Sequence, residues 1–231
     1  MKKQYNYEQV RLNALQKDIL IGTLLGDATI ATRAGKPILR IKFEQQIQFK
    51  TYIDHLYEVF KDLITSKPAF RKDKKNSKQI SSWVATRQFK CFKYYYDLFY
   101  PRSDLKKNSL SLFTKKLTLS KKRQKRVPKH ISKLLSAKVL AYWFMDDGTH
   151  KVTKAGTIVY GLSTQGFNYP DQLLLVSALK KTLDLHATIH KSGPYFKLYI
   201  KAVSSQKFYN LIKPFILPCF YYKLGKNQKP E

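Results

Sequence analysis

The chain has 231 residues, 43% of them hydrophobic, and carries 44 Lys+Arg against 15 Asp+Glu for a formal charge of +29. That apolar share is enough for a packed core and excludes a disordered tail, while the charge points to a polyanion as partner, nucleic acid ahead of an anionic membrane surface. No run reaches the roughly 18 apolar residues of a membrane span, and the Met1-Lys2-Lys3-Gln4-Tyr5 start lacks a signal peptide's apolar stretch.

Two apolar runs stand out, Leu20-Ile21-Gly22-Thr23-Leu24-Leu25-Gly26-Asp27-Ala28 and Leu140-Ala141-Tyr142-Trp143-Phe144-Met145-Asp146-Asp147-Gly148. The first predicts a helix over residues 18–27 that is apolar nearly all round and must be buried against protein. An acid in its last turn opposes the macrodipole by about 0.3–1 kcal/mol. The same irregularity in two copies indicates a site. Gly22 and Gly26 leave a bare ridge where another helix backbone can come close. Gly35-Lys36-Pro37 predicts a turn. From Ile38 to Glu44 the alternation predicts a strand with Leu39, Ile41 and Phe43 on a greasy face and Arg40, Lys42 and Glu44 on a charged one. Phe49, Tyr52, Ile53, Leu56, Phe60, Leu63 and Ile64 recur at helical spacing and cover the greasy face. Arg71 to Lys78 holds five basic residues in eight and reads as a loop, either a solvated hairpin tip or a phosphate contact. Ile80 to Arg87 predicts a strand, and Phe89 to Phe99 a helix ending at Pro101.

Residues 102–137 connect two halves. Between Lys115 and Lys129 eight of fifteen residues are Lys or Arg, a density that predicts an arm rather than a folded element. The order then repeats: the second apolar run, a strand from Gly156 to Gly166, a helix opened by Pro170 and Asp171, a hairpin around Ser192-Gly193-Pro194, and a helix from Phe208 to Leu217 bent at Pro214. The expected units are 1–114, a basic linker over 115–137, and 138–231. Cys91 and Cys219 sit in no metal-ligand spacing, which predicts reduced thiols and a reducing, intracellular setting.

If the two buried helices pack as a pseudo-twofold pair, Asp27 and Asp147 meet at the base of the interface between the sheets. Two carboxylates that close repel unless one is protonated or a cation lies between them. In a protein built for phosphodiesters, a divalent ion held by carboxylates, water and phosphate oxygens meets that need. The five histidines form no partner set, so His150, three residues past Asp147, is not expected to be a general base.

The paired runs resemble the motifs of LAGLIDADG homing endonucleases in their single-chain, two-repeat form. Leu140-Ala141 through Met145-Asp146-Asp147-Gly148, with Val127-Pro128 before it, resembles the yeast mitochondrial intron-encoded type. So do Phe208-Tyr209-Asn210-Leu211-Ile212-Lys213-Pro214 and Tyr222-Lys223-Leu224. The first run departs, with Ala28 for the final Gly and Leu25-Gly26 for the usual Asp-Ala, but keeps Asp27. The resemblance implies an α+β fold, a duplicated α-β-β-α-β-β-α unit whose two antiparallel sheets form a DNA-binding saddle. It further implies a monomeric, site-specific double-strand endonuclease for intron or intein homing, dependent on Mg²⁺ with Mn²⁺ substituting, that cuts a long asymmetric target to short 3′ overhangs. An organellar setting, mitochondrion or chloroplast, goes with it. A group I intron RNA maturase, binding intron RNA, or a non-catalytic DNA-binding protein on the same fold is the alternative.

The resemblance also assigns roles. Asp27 and Asp147 are expected to bind metal with the backbone carbonyls of Gly26 and Asp146, the Asp146 side chain being solvated or capping locally. Lys125 and Lys223 are the expected active-site lysines, with Lys122, Arg123 or Arg126 as other registers for the first. Glu44 and Gln165 are expected to order active-site water. Arg33, Arg40, Lys42, Arg71, Lys72, Lys197, Tyr199 and Lys201 are the expected DNA contacts, reading base edges from strands in the major groove.

Overall fold

Asn13 opens the first helix, α1 (Ala14–Leu25), with a reciprocal cap: the Gln16 N–H donates to its side chain at 2.8 Å, and the Asn13 N–H donates to the Gln16 side chain at 3.1 Å. The helix therefore begins four residues before the predicted 18, because Gln16, polar and buried, is satisfied by Asn13 and by the Val59 carbonyl at 3.0 Å. This computed structural model describes residues 10–33, 36–73, 76, 78–101 and 124–225. The first half continues with β1 (Thr29–Arg33), β2 (Lys36–Gln46), α2 (Lys50–Phe60), β3 (Ala69–Lys72), β4 (Ile80–Ala85) and α3 (Phe92–Phe99). The second repeats it with α4 (Ala137–Asp147), β5 (Gly148–Val152), β6 (Ile158–Leu162), α5 (Tyr169–Leu183), β7 (Ala187–Ser192), β8 (Tyr195–Ile200) and α6 (Ala202–Ile212). The linker residues Lys115, Lys116, Lys121, Lys122 and Arg123, and Lys74 and Lys75 of the basic loop, lie outside the described residues.

Each half contributes one four-stranded antiparallel sheet, in the orders β1-β2-β4-β3 and β5-β6-β8-β7. The register aligns the halves residue by residue. Thr29 pairs with Lys42 and Lys42 with Ala85; Thr149 pairs with Gly161 and Gly161 with Tyr199. Hence Lys42 corresponds to Gly161, Glu44 to Ser163 and Trp83 to Lys197. Leu39, Ile41 and Phe43 are buried as their alternation predicts, with Ile53, Leu56 and Phe60 of α2 packed over them.

α1 and α4 form the spine on which both halves pack. A β-carbon at Gly22 would lie 2.6 Å from the Val139 carbonyl oxygen, and one at Gly26 would lie 2.5 Å from the Asp146 Cβ. The glycine ridge thus lets the two backbones approach where larger residues would hold them apart. Trp143 of α4 lies against this ridge and is fully buried, while Phe144, equally buried, packs on Tyr160 and Phe208 of its own half. The halves are also joined by aromatic contacts: Phe49 stacks on Phe220 at 5.0 Å and on Tyr222 at 6.1 Å, while Tyr52 meets Phe220 edge-on at 5.1 Å. Cys91 and Cys219 are free, partly buried thiols. Among the described residues no helix is long and apolar enough to cross a membrane.

Candidate active site

Asp27 and Asp147 reach the site by slightly different routes. α4 runs through Asp147, whereas α1 stops at Leu25, so Asp27 stands just past the helix rather than in its last turn. Burial first, and then the charge of Asp27, push the Asp147 carboxyl up to about 7, against the opposing charges of Lys125, Lys223 and Lys197. The two acids are therefore within electrostatic reach of each other, as the sequence predicts.

Asp146 turns into the helix interface. Its Oδ2 accepts the Asp27 backbone N–H at 3.2 Å, and its side chain fills the space left by Gly26. Burial, then the nearby Asp27, raise its carboxyl well above the usual range, and the buried Tyr52 hydroxyl faces it. It caps the end of the neighbouring helix, not its own.

Each motif is served by one lysine. The Lys125 ammonium donates to the carbonyls of Gly26 at 2.8 Å and Ala28 at 3.0 Å; that of Lys223 donates to Met145 at 2.6 Å and Asp146 at 3.1 Å. Burial lowers the pKa of both, and Asp27, Asp146 and Asp147 oppose that shift. Of the other registers open for the first lysine, Lys122 and Arg123 lie outside the described residues. Arg126 points away to Asp171.

Of the two residues expected to order water, Glu44 stands on the polar face of β2 and lines a small cavity with Asp27, whereas Gln165 leaves the strand. Burial pushes Glu44 up, but its contacts with Lys42, Ser81 and Arg71 hold it below the ordinary carboxylate range, with the Ser81 hydroxyl and the Arg71 guanidinium each at 2.6 Å. The residue that reaches Asp27 is the next one, Gln45, whose Nε2 donates to Asp27 Oδ2 at 2.5 Å. Gln165 lies in a turn, because β6 ends at Leu162. By register Ser163 takes Glu44's place, and it lines an open cavity of about 430 Å³ with Asp147, Thr149, His150 and Lys223. Gln45's counterpart, Thr164, is buried and donates to the Gln172 side chain at 2.9 Å, so it does not hold Asp147 as Gln45 holds Asp27. The site is asymmetric.

On the polar sheet faces, Arg40, Lys42 and Arg71 stand on the first sheet and Lys197 and Tyr199 on the second. Lys72, one step from Arg71 in β3, falls on the opposite side. Lys201 is exposed at the N-cap of α6, and the Arg33 side chain is outside the described ones. Trp83, unmarked by sequence reasoning, stands on the polar face of β4 with the Lys42 ammonium 5.6 Å from its ring. Lys197 crosses the strand between by lying over Gly161, where a β-carbon would be 3.3 Å from its Cε, and donates to the Thr149 hydroxyl at 3.2 Å. A lysine thus occupies the same area in both halves, supplied from β2 in one and β8 in the other.

Among the described residues no three His, Cys, Asp or Glu side chains cluster as an all-protein metal cage. What the site offers is sparse and all-oxygen, two carboxylates and helix-end carbonyls, the donor set that suits a hard divalent cation completing its shell with water and phosphate. Burial and the neighbouring Asp27 charge, which together push Asp147 up to about 7, are what a cation there would offset.

A family model of LAGLIDADG DNA endonucleases matches residues 17–208. The sequence is 30% identical to a probable intron-encoded endonuclease 1 of Wickerhamomyces canadensis, over 96% of this chain and 89% of the relative. It is 25% identical to cytochrome b mRNA maturase bI2 of Saccharomyces cerevisiae, over 97% of this chain and 50% of the relative. The solved structure of the homing endonuclease I-WcaI bound to its DNA recognition sequence has the same fold, with a TM-score of 0.76 and 25% identity over 97% of this chain and 94% of that one. From the helix that leads to Asp27 through the sheet beside Asp147 and into α6, the chain belongs to the LAGLIDADG DNA endonuclease family.

Proposed function

We propose that the chain is a site-specific double-strand DNA endonuclease of the intron-homing kind, a monomer that hydrolyses both strands of a long asymmetric target and leaves short 3′ overhangs. The observation that carries this reading is the meeting of two acids, each beside a half-buried lysine, where two non-identical basic sheets join. Two different halves suit an asymmetric site, each sheet face following one half of the duplex. Arg40, Lys42, Arg71 and Lys197 would fix its register through phosphates and read base edges.

Mg²⁺, with Mn²⁺ able to replace it, would be held by the Asp27 and Asp147 carboxylates and the carbonyls of Gly26 and Asp146. When bound, such an ion lowers the pKa of its water and stabilises the leaving oxygen. The two carbonyls already accept lysine ammoniums, but a carbonyl has two lone pairs and one partner does not exhaust it. Gln45 holds Asp27 Oδ2 in a fixed orientation. Around Lys125 and Lys223 the acids favour the charged ammonium against the burial that lowers its pKa, and each lysine would face one scissile phosphate as negative charge grows there.

The relative named as a cytochrome b mRNA maturase keeps a second reading alive, intron RNA binding that assists splicing. Retention of both acids favours cutting, since a pure binder gains nothing from facing carboxylates beside phosphate. An organellar setting accords with the relative named as intron-encoded. The test is incubation with a random-site plasmid library and Mg²⁺, followed by sequencing of the cut ends. A single long asymmetric site is expected, with cutting lost in excess EDTA and in Asp147→Asn while DNA binding survives. Full cleavage in EDTA would sink the proposal.

A further inference from the structure

Lys125 lies in a stretch where eight of fifteen residues, from Lys115 to Lys129, are basic. A shift of one residue forward would offer Arg126, and of two back Arg123, so the charge pattern alone does not select Lys125. The selection comes from its neighbour. The Arg126 guanidinium binds Asp171 through two bonds, Nε to Oδ2 at 2.7 Å and Nη2 to Oδ1 at 3.1 Å, while its backbone N–H donates to the Phe99 carbonyl at 2.7 Å. Asp171 sits in the first turn of α5 and is only 2% exposed, and the next residue, Val127, is 4% exposed.

A planar guanidinium fork matches both carboxylate oxygens at once, which a lysine's point charge cannot do. Asp171 therefore discriminates between the arginine and the lysines around it. With Arg126 seated on the second half, the preceding side chain turns towards the end of α1, and Lys125 reaches the Gly26 and Ala28 carbonyls. We infer that the Asp171–Arg126 pair is a register lock: a buried acid of the second half positions the lysine that serves the first half's motif. The inference rests on the reading of Lys125 as an active-site lysine. It makes Arg126 and Asp171 positioning residues and ties the first half's chemistry to correct docking of the second.

The test uses the full chain without DNA. Reductive methylation, read residue by residue by mass spectrometry, should find Lys125 protected relative to the exposed Lys129. In Arg126→Lys, which keeps the charge but loses the fork, Lys125 should react about 10-fold faster, with Lys223 unchanged. Asp171→Asn is expected to act likewise; should the loss of that buried charge unfold the protein, the paired replacement Arg126→Leu with Asp171→Leu removes both charges and keeps the measurement possible. Unchanged protection of Lys125 in these folded variants overturns the lock. Single-turnover cleavage tests the underlying reading separately. Lys125→Met should slow one strand, and adding it to the paired replacement should cost nothing more. If Lys125→Met cuts at the full rate, the lysine's role fails while the labelling still decides the lock.

Discussion

The Asp27 backbone N–H donates across the helix pair to the Asp146 carboxyl at 3.2 Å, so an acid in one motif closes the helix that presents the acid of the other. Asp146 has no counterpart in the first half, where the same position is Gly26 and the two lie in contact. Asp146→Asn keeps an acceptor for the N–H and should be close to neutral. Asp146→Ala leaves that N–H unpaired and opens space beside Gly26, at a cost of about 1–3 kcal/mol. Equal denaturant midpoints for the two variants would remove this role.

Asp147 makes the metal-free protein sensitive to pH. Its folded carboxyl holds a proton up to about pH 7, whereas an unfolded aspartate releases it near ~4. The native state thus binds the extra proton between those values, and the stability this confers is complete at low pH and drains away as pH rises through about 7. Thermal melts should show wild type losing stability relative to Asp147→Asn as pH rises from about 4 to about 7, with little further change above. Added Mg²⁺ should restore wild type at pH 8 and leave the variant where it was. Parallel pH curves for the two proteins would contradict the burial of this acid.

Gln45 and Glu44 are adjacent but should behave as different kinds of residue. Gln45→Leu removes the hand on Asp27 and should slow single-turnover cleavage by roughly 10–100-fold, the usual cost of losing a group that orients a ligand. Glu44→Gln loosens Lys42 and Arg71 on the sheet face, and its effect should appear in affinity or target preference. The idea is wrong if Glu44→Gln stalls cutting at saturating protein while Gln45→Leu cuts normally.

That pair also marks how far the sequence could be read. The order of helices and strands and the two acids at the ends of the apolar runs were legible because apolar periodicity and the duplicated runs impose them; Lys125 and Lys223 came only from the family resemblance. Gln45 was not, although a signal was present: it follows Phe43 by two, so alternation sends a polar side chain to the inner face, where polar groups are found only with partners. Gln165 does not take the strand position expected of it, because strand register depends on pairing. β6 stops at Leu162, and only the Thr149–Gly161 pairing shows that Ser163 stands where Glu44 does. The Arg126–Asp171 pair joins residues 45 apart with no local pattern to connect them.

Lys197 should be more than a phosphate anchor. It lies over Gly161 to Thr149, and its charge is felt by Asp147. Lys197→Met should lower the cleavage rate about 10-fold as well as weaken binding, since a preorganised charge beside the reacting phosphate acts on the transition state. Lys201→Met should weaken binding alone and reduce the salt slope by about 1. Gly161→Val should mimic the first substitution by pushing Lys197 aside without touching its charge. Equal effects of Lys197→Met and Lys201→Met on rate and affinity would make both ordinary anchors.

Lys223 depends on the first half for its position. It belongs to the turn Pro218–Leu224, whose Phe220 and Tyr222 rings stack on Phe49 while the ammonium reaches the Met145 and Asp146 carbonyls. If the ammonium stabilises charge building on one scissile phosphate, Lys223→Met should cut the single-turnover rate by about 10²-fold or more, with little change in Kd. One strand should suffer more than the other, so nicked plasmid should accumulate. Phe49→Ala leaves the lysine in place chemically but loosens the turn that carries it, and should give a milder version of the same strand bias. Lys125→Met should slow the opposite strand. Equal slowing of both strands, or a loss traced wholly to binding, would show that the lysine's charge holds DNA and does not act on the reacting phosphate.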